Sequence, residues 1–343
     1  MQGRTWLARG AALCLLAGLL LVTAAAEEAK GNAELEGRLK AALAKSSGVW
    51  GVSVKHVERN EVAGINPDQK FQMASVFKIP VLVELYQQAR AGKIALAERV
   101  EWREPEKYFG SGVLVTLDKG LQPTVRDLAT LMIIVSDNAA TDMLCDRLGT
   151  ANITARLRTL GLQQTSVDAC TRALILQALG LRGEAYKNLT LEGLQKIDWD
   201  KLGDEVKTNR QRFLEECPNC TTPAEMTLLI EKIVKGEAGD AEATKEMLLI
   251  LSRQQFNQRL PRWLPYGVRS EHKTGTLTAP VWVVNDAGVI NLAGGEHVIV
   301  SVFSRGTETE LGAAGNKVAI ANAEDRIGEI GKIVFDYYTA QKK

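Results

Sequence analysis

The strand-forming stretches of this chain sit at its two ends, and a long run of helical pattern separates them. Residues 49–57 (VWGVSVKHV) alternate as a half-buried strand does, and a second strand over 61–65 stops at Asn66-Pro67. Helical patterns fill 121–260. Beyond Tyr266 the pattern changes to short runs at 268–276, 281–285, 288–292 and 297–304, with turns expected at Asn285-Asp286 and Gly294-Gly295. A strand needs a neighbour for its backbone donors and acceptors, so strands from both ends must meet in one sheet. The fold class this implies is α/β (α+β): an antiparallel sheet built from both chain ends, flanked by helices, with an inserted all-helical subdomain. The α/β part covers 27–72 and 265–343, and the helical subdomain covers 73–264. A cleft between the two is the natural place for a site.

Individual helices follow from spacing and punctuation. Residues 32–45 carry Leu35, Leu39 and Leu43 on one face, and Gly48 closes the segment. Residues 75–90 are apolar nearly all round, which predicts a buried helix. Pro80 counts against it, because it removes a backbone bond just past the first turn. Thr124-Val-Arg-Asp127 has the form of a capping box. A last helix over 323–338 puts Ile327, Ile330, Val334, Tyr337 and Tyr338 on its inner face.

The first 26 residues read as a secretory signal peptide, so the chain is expected to be exported, secreted or periplasmic. Arg4 and Arg9 precede an apolar run from Ala11 to Val22, and Ala24-Ala25-Ala26 supplies the cleavage pattern. Once it is removed, no segment is long and apolar enough for stable membrane insertion, and the catalytic domain spans 27–343. The formal net charge of +1 offers no field for nucleic acid. An exported chain can form disulfides. Cys170, Cys217 and Cys220 cluster in sequence, so Cys170 is expected to pair with Cys217 or Cys220. Cys145 falls where an apolar helix residue belongs and is expected to be a free, buried thiol. Cys217-x-x-Cys220 alone has zinc-ligand spacing, so no metal and no cofactor is assigned.

Three short motifs occur in order: Ser75-Val-Phe-Lys78, Ser136-Asp137-Asn138 and Lys273-Thr274-Gly275. Taken singly, each is as readily a helix start, a helix cap or a strand end. A second Ser-x-x-Lys, Ser270 to Lys273, falls on a strand, where an odd spacing separates the two faces. Ser75 and Lys78 instead open a helix, where positions three apart share a side. A helix N-terminus also offers free N–H groups to a developing oxyanion. The mature chain has only His56, His272 and His297, all on strands, with His272 facing away from Lys273. A Ser-His-Asp arrangement therefore has no candidate.

The three motifs together resemble the class A β-lactamases and penicillin-binding proteins. Gly149, Leu157-Arg-Thr-Leu160-Gly161, Thr221-Thr222-Pro223-Ala224-Glu225-Met226 and Leu264-Pro265 extend the resemblance along nearly the whole mature chain. It implies that Ser75 attacks a carbonyl, that Lys78 takes or relays its proton, and that Ser136 passes a proton to the leaving nitrogen. It implies that Asn138 holds the substrate amide and orients Lys78. Lys273 and Thr274 would meet a substrate carboxylate, and Gly275 would let substrate approach the strand. The N–H groups of Ser75 and Thr276 would form the oxyanion hole. The implied substrate is a small β-lactam or a D-Ala-D-Ala peptide, handled by a monomer.

The chain departs from that family between about 167 and 222, where it is some 35 residues longer than the family pattern. Counting forward from Leu160-Gly161 puts Thr171 at the place of the family's deacylating glutamate. Counting backward from Pro223 reaches Glu205-Val-Lys-Thr-Asn209, the Glu-x-x-x-Asn spacing one residue out of register, which makes Glu205 the candidate base. A positioned base implies a β-lactamase, the reading preferred here. Without one, a D-Ala-D-Ala carboxypeptidase follows, or a β-lactam sensor that acylates and stops.

Overall fold

The two ends of the chain meet in the middle of one sheet. The structure, a computed structural model, describes residues 29–307 and 313–341, so the leader expected over 1–26 lies outside the described residues. β1 (Lys30–Gly31) and α1 (Ala33–Leu43) lead into the hairpin of β2 (Val49–His56) and β3 (Glu61–Ile65). β4 (Phe71–Gln72) follows, and a 3₁₀ turn over Ala74–Phe77 runs directly into α2 (Lys78–Arg90). The helical block holds α3 (Val125–Ile134), α4 (Asn138–Leu148), α5 (Thr150–Thr159), α6 (Thr171–Leu179), α7 (Leu191–Gln195) and α8 (Trp199–Glu216). β5 (Cys220–Thr221), α9 (Pro223–Val234) and α10 (Ala241–Leu251) complete it, and β6 (Ser270–Leu277), β7 (Val283–Asn291), β8 (His297–Arg305) and α11 (Ala313–Ala340) end the chain.

The six-stranded sheet has the order β1-β3-β2-β8-β7-β6, antiparallel except for the short β1–β3 pair. The seam is β2 against β8, from Val49 opposite Arg305 to His56 opposite Val298. One face is covered by α1 and α11, which bury Leu35, Leu39, Ile327, Ile330 and Val334 against Val52, Val54 and Val300. The other face packs Ile299, Phe303 and Val289 against the helical block. No described helix is long and apolar enough to cross a membrane.

Three expectations are corrected by packing. The strands read at 281–285 and 288–292 are one strand, β7, and Asn285-Asp286 lies inside it. Turn-forming side chains usually bond their own backbone, but these two have buried partners elsewhere. Asn285 Nδ2 donates to the carbonyls of Gln72 (2.8 Å) and Met73 (3.0 Å), and Asp286 accepts the Leu260 N–H (3.0 Å). Pro80 does no harm, because the α-helix starts at Lys78 and the proline falls in a first turn whose N–H groups have no intrahelical partner. The disulfide joins Cys217 to Cys220, not Cys170 to either. Cys217 caps α8 in the left-handed conformation (φ 49°), which turns the chain back within three residues. Cys170 precedes α6 as a free thiol beside the buried, free Cys145.

The extra length between 167 and 222 is ordered. It forms α6, α7 and α8 with a small core of its own, in which Leu176, Leu181 and Val206 meet Phe109.

Candidate active site

Ser75 sits in the 3₁₀ turn, not in the α-helix proper. Positions three apart eclipse one another in a 3₁₀ turn, so Lys78 returns to the side of Ser75. Ala74 is held in the left-handed region (φ 45°), a conformation that costs a non-glycine residue energy. The surroundings hold it there. Met73 N–H donates to Asn219 O (2.9 Å), while Asn285 binds the carbonyls of Gln72 and Met73. β6 presses on the same turn: a Cβ on Gly275 would lie 2.5 Å from Met73 O and 3.1 Å from Ser75 N. The side of β6 to which a Gly275 Cβ would point is thus filled by the chain's own Ser75 turn.

The other two motifs converge on this turn. Ser136 is left-handed (φ 54°) in the link between α3 and α4. That link is fastened by Asp137, whose Oδ2 accepts the N–H groups of Val113 (2.7 Å) and Leu114 (2.8 Å) while Oδ1 caps α4 at Ala140. Lys78 Nζ donates to Ser136 O (2.9 Å), Ser136 Oγ (3.2 Å) and Asn138 Oδ1 (2.9 Å). Lys273 Nζ reaches the same Ser136 Oγ (3.0 Å) and Thr274 O (2.8 Å). One hydroxyl thus joins two lysines that have no exposed surface.

Two buried ammonium groups this close cannot both keep their protons cheaply. Burial pulls the Lys78 amine down to about 7, against the carboxylates of Asp142 and Asp137. Lys273 is held well below the usual lysine range by burial and then by the Lys78 charge. Asp142, one turn along α4 from Asn138, is pushed up to about 6 by burial. Its two oxygens accept the N–H groups of Thr171 (2.5 Å) and Arg172 (2.9 Å) and so fix the start of α6.

A cleft of about 540 Å³ opens over these groups. Ser75, Ser136, Asn138, Thr274 and Thr276 line it, as does Thr171. Glu205 does not. It is exposed on α8, and its motif partner Asn209 points inward to donate to Gly180 O (3.0 Å). The backward register therefore does not bring Glu205 to the cleft, which Thr171 lines together with Ser75. The only cleft carboxylate among the described residues is Glu324, tied to Arg259 (3.0 Å).

Arg259 was missed in the sequence because it belongs to no motif. It lies against β6, donating to Gly275 O (2.8 Å) and Asn285 O (2.7 Å) and to Thr276 Oγ1, and it lines the cleft. Ser111 was missed too; its hydroxyl donates to Ser136 O (2.8 Å). His272 faces away from the cleft, with Nδ1 2.9 Å from Asp286 Oδ1 and Nε2 3.1 Å from Asn257 Oδ1.

Known proteins resemble this chain in sequence and in fold. The chain is 25% identical over 319 residues to β-lactamase CARB-3 of Pseudomonas aeruginosa, covering 90% of this chain and 92% of that protein. It is 27% identical over 255 residues to β-lactamase L2 of Stenotrophomonas maltophilia, covering 72% and 69%. The β-lactamase structure from Sphaerobacter thermophilus superposes with a TM-score of 0.67 at 28% identity, covering 89% of this chain and 97% of that one. PBP-A shares the fold, with a TM-score of 0.65 at 21% identity, covering 89% and 98%. The profile of the beta-lactamase enzyme family matches residues 34–338. The chain thus belongs to the beta-lactamase enzyme family, as a class A β-lactamase-like serine hydrolase.

Proposed function

We propose that Ser75 opens β-lactams by forming an acyl-enzyme and that release of the acyl group is the slow half of the cycle. The observation that carries the first half is the meeting of Lys78 and Lys273 at Ser136 Oγ, in the cleft that Ser75 also lines. A Lys78 amine with a pKa of about 7 is partly neutral at neutral pH and can take the Ser75 proton as Oγ attacks. Ser136 then hands a proton to the departing nitrogen as the C–N bond breaks, and draws its replacement from Lys78 at 3.2 Å. The N–H groups of Ser75 and Thr276 receive the oxyanion. Thr274 and the Arg259 guanidinium, which line the cleft, supply donors and positive charge for a substrate carboxylate, with Lys273 buried behind Thr274.

The second half needs a water held by a base. Thr171 lines the cleft of Ser75 and brings no carboxylate to it, and Asp142, which accepts its N–H, is occupied with two backbone N–H groups. This favours a second reading, D-Ala-D-Ala carboxypeptidase activity with β-lactams as long-lived inhibitors. The basic and apolar start of the chain supports export, which would bring it to such substrates.

Intact-mass spectra after brief exposure to benzylpenicillin test the proposal, alongside nitrocefin turnover and D-Ala release from a cell-wall peptide. The expected result is an adduct on Ser75, absent from Ser75→Ala, that persists over many minutes while nitrocefin is consumed slowly. D-Ala release that outpaces nitrocefin turnover selects the second reading. No adduct on the parent protein overturns both.

A further inference from the structure

The link from α10 to β6 forms neither helix nor strand, and Arg259 comes from it. Regular secondary structure therefore does not fix where its guanidinium lies. Side chains of the sheet do. Successive strand residues alternate in direction, so His272, Thr274 and Thr276 share one face of β6. Asp286 of β7 stands opposite Thr274. His272 Nδ1 lies 2.9 Å and 3.0 Å from the two Asp286 oxygens, and its Nε2 lies 3.1 Å from Asn257 Oδ1. Asp286 Oδ2 also accepts the Leu260 N–H (3.0 Å). The pair thus grips the link two residues before Arg259 and one residue after it.

Both members of the pair are buried. A buried polar pair costs more to accommodate than apolar side chains of the same size. What this pair secures in return is geometry. The residue opposite His272 is Gly288, where a Cβ would lie 2.4 Å from His272 Cβ, so the space His272 occupies depends on that glycine. Asn257 is oriented in turn, since its Nδ2 donates to Gln254 O (3.2 Å) and leaves Oδ1 to His272. With its backbone held, Arg259 lays its guanidinium on Gly275 O (2.8 Å), Asn285 O (2.7 Å) and Glu324 (3.0 Å), beside Thr274 and Thr276 in the cleft lining. A guanidinium reads a carboxylate only where its N–H fork is aimed.

We infer that His272 and Asp286 are positioning residues for Arg259 and, through it, set how strongly the cleft selects substrates that carry a carboxylate. This inference rests on the reading of Arg259 as a donor to that carboxylate. The pair touches no substrate itself, because His272 faces away from the cleft and neither residue lines it.

The test compares the second-order rate of Ser75 acylation by benzylpenicillin with that by its methyl ester, which keeps the ring system and loses the anion. The acid is expected to react about 10- to 100-fold faster in the parent, the worth of a hydrogen bond to a charged group. Arg259→Ala is expected to remove most of that preference. Asp286→Ala, in protein shown to be folded, is expected to bring it down to a few-fold, and to lower it no further when added to Arg259→Ala. Asp286→Asn keeps an acceptor for the Leu260 N–H and is expected to recover most of the preference. Asn257 is exposed, so Asn257→Ala spares the fold, and it is expected to lower the preference by a few-fold. Equal rates for acid and ester in the parent, or the parent's preference in Arg259→Ala, overturn the reading of Arg259 and this inference with it. The parent's preference in folded Asp286→Ala, or a loss that repeats in full on Arg259→Ala, overturns the inference alone. Should Asp286→Ala not fold, Asn257→Ala decides in the same way.

Discussion

A lysine with no exposed surface must find a carboxylate or give up its proton, and Lys78 has no direct ion pair among the described residues. Its three acceptors are a carbonyl, a hydroxyl and an amide oxygen, and burial holds its pKa at about 7. The sign follows directly: the amine is protonated below that pH and neutral above it. If the neutral amine accepts the Ser75 proton, acylation at saturating penicillin is expected to rise with pH and reach half its plateau near 7. A stopped-flow pH series reads this, and a flat profile from about pH 5 to 9 would take Lys78 out of the proton's path. Lys78→Arg keeps a positive charge but cannot release a proton. It is expected to lose about 10²- to 10⁴-fold in acylation rate, the usual contribution of a general base.

At the scale of elements, α6 and α8 explain both what the sequence made legible and what it hid. The Glu-x-x-x-Asn spacing shows that two residues share a side of a helix, but not what that side meets. Asn209 turned out to hold the end of α6, and Glu205 faces solvent. Glu205→Gln is therefore expected to leave acylation, turnover and Tm at parent values. Asn209→Ala is expected to leave Gly180 O unpaired, at a cost of about 1–3 kcal/mol. For a chain this long each kcal/mol lowers Tm by about 1–2 °C, and a thermal melt of both variants checks the contrast. Stalling of Glu205→Gln as a covalent adduct would restore it as the base. The elements with local causes were legible. The Thr124–Asp127 capping box is present in both directions, and β3 spans Glu61–Ile65 as read. The three motifs were legible as motifs because their residue types carry chemistry, and the structure brings them together. Arg259, Ser111 and the role of Asn285 were not, because each acts through partners distant in sequence and carries no local pattern. The cysteine pairing misled for a related reason: clustering in sequence did not show that Cys170, at the start of α6, packs against Cys145 while Cys217 closes on Cys220.

The whole molecule is a sheet closed across the chain ends, with the nucleophile's turn clamped between that sheet and the helical block. Asn285 is the tie. Its amide nitrogen binds the carbonyls of Gln72 and Met73, and its oxygen accepts the Ser304 N–H at 3.0 Å. One side chain from β7 therefore joins β8 to the residues that force Ala74 into the left-handed region. Strained backbone persists only where its surroundings impose it. Removing the tie should thus do two separate things. Asn285→Ala takes a partner from Gln72 O, from the Ser304 N–H and from Met73 O, the last of which keeps the Val76 N–H, and at about 1–3 kcal/mol for each buried group left unpaired global stability falls. It also frees the Ser75 turn to relax, so acylation per folded molecule falls as well. Thr227→Val separates the two effects. Thr227 Oγ1 meets Ser301 Oγ (2.9 Å) where α9 covers the sheet, within the same buried layer but away from the cleft lining. That variant is expected to lose stability and keep its acylation rate per folded molecule. Both are measured well below their melting temperatures, with the folded fraction fixed by circular dichroism. Acylation of folded Asn285→Ala at the parent rate would show that the helical block alone holds the Ser75 turn in its reactive shape.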